Sequence, residues 1–256
     1  MLRGVAGVGV VVALCAVYWL SPWSPEAIDR PALLLGWGFP HLALQAWENM
    51  GDGPGPEGVQ AEALWRASFV ATAELDDNQR AIELLRQLVA DHPTHPRAPQ
   101  AYARLASLYE RAQGDDLRAA EAWQQAADAA PSLPESGRRY MLAGRAWQRG
   151  GQRERAQAAF QAATQRPDVA VVAWLALGTL QLQGDPRAAY AACQSAIKAG
   201  AADADLSSAW LCSASALERE GRLDDALDLL LQVEQDGKAD DAISQRIHLL
   251  EQRTSL

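Results

Sequence analysis

One spacing governs this 256-residue chain: a turn residue, then alanine five on, an apolar residue four later, and another three after that. It reads Gly38, Ala43, Trp47, Met50; Asp76, Ala81, Leu85, Leu88; and Gly114, Ala119, Trp123, Ala126. It continues as Gly151, Ala156, Phe160, Ala163; Gly184, Ala189, Cys193, Ala196; and Gly221, Ala226, Leu230, Val233. The origins lie 38, 38, 37, 33 and 37 residues apart. Composition alone does not hold such a register, so the chain is built from a repeated structural unit.

The half of each unit before the origin is also regular. An aromatic residue opens it (Trp65, Tyr102, Tyr140, Trp174, Trp210), and a small residue follows at Ala106, Gly144, Gly178 and Ala214. Apolar residues three and four apart place one buried stripe on each of two helices. Glycine at the origin ends the first helix in the left-handed region without a Cβ penalty. Pro93, Pro131 and Pro167 stop the second helix, because proline removes a helical donor. A lone pair of such helices leaves apolar surface uncovered, so the pairs must stack.

Over about residues 30 to 238 this pattern resembles the tetratricopeptide repeat family, although most units exceed that family's usual length of about 34 residues. The resemblance implies an all-α fold, a right-handed superhelical solenoid of helix pairs. Asp76 replaces the turn glycine, the last two units lack the closing proline, and Ala27 stands where the first unit needs an aromatic. The expected organisation is an N-terminal segment 1–23, a proline-containing linker and degenerate half repeat over 24–54, about five repeats over 55–238, and a capping helix and tail over 239–256. Ile243, Ile247 and Leu250 share one face of that last helix.

Residues 4 to 20 carry no charge, which is the lower edge of what spans a bilayer as a helix. Arg3 precedes the run, and Tyr18, Trp19 and Trp23 close it, as suits a transmembrane helix with its N-terminus in the cytoplasm. The reading is a retained anchor, with the following domain outside the bacterial inner membrane, in the periplasm. The alternatives are a cleaved signal, for which the bulky Tyr18-Trp19 makes a poor site, and a lipid on Cys15, which Leu14 disfavours.

Little points to chemistry. The formal charge is −9, only Lys198 and Lys238 of the 23 basic residues are lysine, and no basic run occurs, which disfavours nucleic acid as a partner. His92 and His95 fall in an inter-repeat turn, read as solvated loop, with no third metal ligand nearby. The Asp76-Asp77, Asp115-Asp116 and Asp224-Asp225 pairs are placed at inter-helix turns or in the first helical turn, where acids suit the dipole. No nucleophile elbow or phosphate loop occurs. An enzyme, a cofactor, a metal and a small-molecule substrate are all unexpected. Cys193 and Cys212 occupy packing positions and are expected to be free, buried thiols; a bond between them would need Cα atoms within about 7 Å.

In the family resembled, the first helix of each pair lines a concave groove. That implies a protein- or peptide-binding surface including Arg66, Arg138, Met141, Arg145, Val172, Leu175, Thr179, Leu182 and Leu211, with an apolar C-terminal part preceded by two arginines. A peptide with an acidic and an apolar portion suits it. Members that clamp chaperone C-termini use paired asparagines in the groove; here the two asparagines, Asn49 and Asn78, lie elsewhere. The expected function is a non-catalytic scaffold or adaptor of envelope assembly, secretion or a membrane complex, with membrane or envelope proteins as partners. The alternative is a structural accessory subunit of an integral membrane complex.

Overall fold

The computed structural model describes residues 25–132 and 134–255, which hold thirteen α-helices and no strand. The chain divides after Gly114 into two compact units. In the first, a 3-10 turn (Pro25–Asp29) leads to α1 (Arg30–Gly36), α2 (Pro40–Asp52), α3 (Glu57–Ala73), α4 (Asn78–Asp91) and α5 (Ala98–Leu108). A π-helical segment, Tyr109–Gln113, extends α5. Each of these helices packs on the next. The second unit comprises α6 (Asp116–Asp128), α7 (Ser136–Arg149), α8 (Arg153–Thr164), α9 (Ala170–Gln181), α10 (Pro186–Lys198), α11 (Asp203–Arg219), α12 (Leu223–Gln235) and α13 (Asp241–Thr254). There α8 packs on both α7 and α9, α10 on both α9 and α11, and α9 also touches α11. The helix pairs of this unit therefore stack.

The repeat register is the register of the core. Every alanine and apolar residue of the six spacings is at most 9% exposed. The small residues of the first helices mark where two axes approach. A Cβ on Gly144 would lie 2.4 Å from the Phe160 ring, and one on Gly178 would lie 2.4 Å from Cys193 Sγ. The last helix, α13, buries Ile243, Ile247 and Leu250 in one cluster with Leu230 and Val233 of α12.

The turn residues divide into two kinds. Gly38, Gly114, Gly151 and Gly221 take positive φ, and Asp76 does so as well, at φ 52°. Gly184 does not, contrary to the expectation for that position. Arg153 crosses it, with Nη2 2.7 Å from where a Cβ would be, and donates from Nη2 to the Leu180 carbonyl at 2.8 Å. An arginine from the preceding pair thus satisfies the end of α9. Aspartates at the helix starts act as caps. Asp77, Asp115 and Asp185 cap α4, α6 and α10 by accepting from backbone N–H groups three residues on.

Two sequence expectations need correction. His92 is buried, with Nδ1 3.6 Å from the Glu57 carboxylate, because the turn between α4 and α5 folds inward over α3. Cys193 of α10 and Cys212 of α11 are joined in a disulfide, their Cα atoms 6.0 Å apart. The two helices are in direct contact, and Gly178 of α9 leaves the volume into which both sulfurs project. No helix among the described residues is long and apolar enough to cross a membrane. The span expected over residues 4–20 lies outside the described residues.

Candidate peptide-binding surface

The second unit brings several of the expected groove residues onto two of its helices and turns one away. Helix α9 contains no charged residue, and neighbours α8, α10 and α11 cover three of its sides. Ala173, Leu177, Gly178 and Leu180 are buried among them. The remaining stripe carries Val172, Leu175 and Thr179, and continues at Leu182 just past the helix end. Spacings of three and four residues put these side chains in one row. Val172 is 40% exposed and Thr179 is exposed, while Leu175 and Leu182 are half-buried. Leu211 of α11, also half-buried, leans on the α11–α12–α13 core. An apolar row at positions left open to solvent is what a protein-binding face requires.

On α7, Arg138 and Arg145 are both exposed, seven residues apart on one face, and neither forms an ion pair among the described residues. Their neighbour Arg139 is a structural residue: it is 8% exposed and donates from Nη1 to the Ala126 carbonyl at 3.0 Å. Met141 is 5% exposed and faces the interior of the unit, so it contributes no open surface. Helix α7 is packed by α6 and by α8, and position 141 falls under that cover.

Arg66 belongs to the first unit and is already engaged. Its Nη1 pairs with the Asp29 carboxylate and lies 3.3 Å from the Ile28 carbonyl, and its Nε donates to Glu62 at 3.2 Å. These bonds tie the 3-10 turn to α3. Burial pushes the Glu62 carboxyl up, but hydrogen bonds from Arg97 and Arg66 outweigh it and hold the group below its usual range.

A further feature has no signature in the sequence. Beyond Leu182 the stripe opens into a cavity of about 350 Å³ lined by Leu182, Ser215, Glu218, Arg219, Arg246 and Arg253. Glu218, its side chain 7% exposed, accepts from Arg246 Nη2 and from Arg253 Nη1, each at 2.6 Å. Three guanidinium groups against one carboxylate leave the cavity with excess positive charge. Each arginine by itself reads as a solvated helix residue; only the packing of α13 on α11 collects them. The described residues contain no group of three or more His, Cys, Asp or Glu side chains placed to hold a metal ion.

Residues 70–134 match the tetratricopeptide repeat family model. No curated protein matches the chain in sequence. Among solved structures, the chain is similar to MamA at 18% identity, covering 77% of this chain and 95% of that one, with a TM-score of 0.47. It is similar to PilW, a type IV pilus biogenesis factor, at 15% identity over 86% and 96% of the two chains, with a TM-score of 0.45. PilF of Pseudomonas aeruginosa gives 14% identity over 87% and 95%, with a TM-score of 0.43. Tetratricopeptide repeats scaffold protein–protein contacts and are generally non-catalytic. Residues 70–134 thus carry tetratricopeptide repeats, and the same buried spacing continues on both sides of that stretch.

Proposed function

We propose that the chain is a membrane-anchored adaptor of the bacterial envelope, held in the inner membrane by residues 4–20, with its repeats in the periplasm. Its binding face is the α9 stripe with the exposed arginines of α7. The partner is a protein segment, extended or helical, whose apolar side chains lie along Val172, Leu175, Leu182 and Leu211. Acidic residues of the partner meet Arg138 and Arg145. The observation that carries this reading is the charge-free helix α9, which leaves Val172 exposed and Leu175 half-buried on one side while its other sides are packed. The Cys193–Cys212 disulfide supports the compartment, since such bonds persist in the periplasm and are rare in a reducing cytosol.

The anchoring is tested by fractionation. The chain is expected to stay with membranes after carbonate washing, and protease added to spheroplasts is expected to digest the repeats. Recovery in the soluble fraction, or a domain protected from outside protease, contradicts the assignment.

A further inference from the structure

Half of the large apolar residues that the described chain leaves exposed fall within ten positions: Leu33 at 57%, Trp37 and Phe39 at 51%, and Leu42 at 52%. They flank the turn between α1 and α2. Leu33 and Trp37 are one helical turn apart, as are Phe39 and Leu42, and the Trp37 amide donates to the Leu33 carbonyl at 3.1 Å. Between Arg30 and Glu48 the sequence has no charged side chain, only His41. The tip is not the loose end of an unpacked segment. The same two helices bury Pro31, Ala43, Ala46 and Trp47 on their other side, and the Trp47 indole donates to the Ile28 carbonyl at 2.9 Å. A framed apolar tip of this kind marks an interaction site.

The chain before the tip says what covers it. Residues 4 to 20 are the uncharged run proposed as the anchor, and only four residues separate Leu20 from the 3-10 turn at Pro25. Five residue steps span at most about 18 Å, so Pro25 cannot lie far from the point where the anchor leaves the bilayer. Tryptophan and other amphipathic rings favour the headgroup level, where an apolar body meets lipid and a polar edge meets water. We infer that the α1–α2 tip is a second membrane contact, inserting Trp37, Phe39, Leu33 and Leu42 into the boundary between headgroups and acyl chains beside the anchor. This inference rests on the anchoring reading. The contact is apolar in character: Glu48 is paired with Arg80, and His41 is the one ionisable side chain between Arg30 and Glu48.

The test uses the full chain in vesicles of phosphatidylethanolamine and phosphatidylglycerol, with Phe39 replaced by p-benzoylphenylalanine. Irradiation and mass spectrometry are expected to find lipid adducts at position 39. They should also appear at Leu42 replaced in the same way, be absent when the probe replaces the exposed Gln79, and persist in vesicles of phosphatidylethanolamine with a neutral co-lipid. Adducts to residues 4–20, to a second copy of the chain, or to no lipid overturn the inference. A carbonate wash of the same vesicles separates the two claims. Protein lost from the pellet defeats both the anchor and the tip; protein retained without lipid adducts at 39 and 42 defeats the tip alone.

Discussion

Phe160→Ala is expected to lower the free energy of unfolding by about 3 to 5 kcal/mol, the cost of emptying a large buried aromatic site. Phe160 is 1% exposed and its ring lies against the backbone of Gly144, where a Cβ would meet three ring carbons at less than 3.0 Å. The ring fills the contact between α7 and α8, and both helices pack on further neighbours, which limits how far they can close on the emptied space. The converse change at the same contact is informative. Ala156, fully buried one turn before Phe160, should lose about 1 to 3 kcal/mol on replacement by leucine through overpacking. Val172→Ala, at an open position, should stay within about 0.5 kcal/mol. Urea denaturation of the three variants measures this, and equal losses at 160 and 172 would mean the repeat spacing is not the core.

The second large effect concerns the sulfur pair. The Cys193–Cys212 bond joins residues 19 positions apart. Closing a loop of that length removes enough unfolded-chain entropy to contribute about 3 kcal/mol. A Cys193→Ala, Cys212→Ala double variant should therefore unfold at lower denaturant, and the wild-type chain should approach it when reductant is added. The variant itself should not respond to reductant. Alkylation of the denatured chain gives the direct reading: both cysteines should react only after reduction. Two thiols that react without reductant would remove the bond, and with it the support for an oxidising compartment.

The spacing of alanines and large apolar residues is legible because packing imposes it: every such position is buried. What stays hidden depends on contacts between residues far apart in the chain. Cys193 and Cys212 are recognisable as packing residues, but their pairing follows from how α10 lies on α11 above Gly178. Arg66 reads as groove-facing, and nothing in its own helix reveals that Ile28 and Asp29 return to hold it. Met141 sits on α7 between Arg138 and Arg145. Three residues of helix rotate it about 60° from their face, enough to pass from solvent to core. Gly184 has the spacing of the left-handed glycines but not their conformation, because Arg153 from the preceding pair supplies the cap. The exposure of α9 is visible as apolar residues in positions the packing does not require.

The binding face is the central claim, and site-specific photocrosslinking in native membranes tests it most directly. A probe in place of Val172, on the open stripe of α9, is compared with one in place of Gln161, exposed on α8 outside the stripe. The predicted result is a discrete protein adduct at 172 that weakens when Arg138 and Arg145 are replaced by glutamate, and no such adduct at 161. The same adduct at both positions, or none at 172 while the chain remains in its membrane, would contradict it.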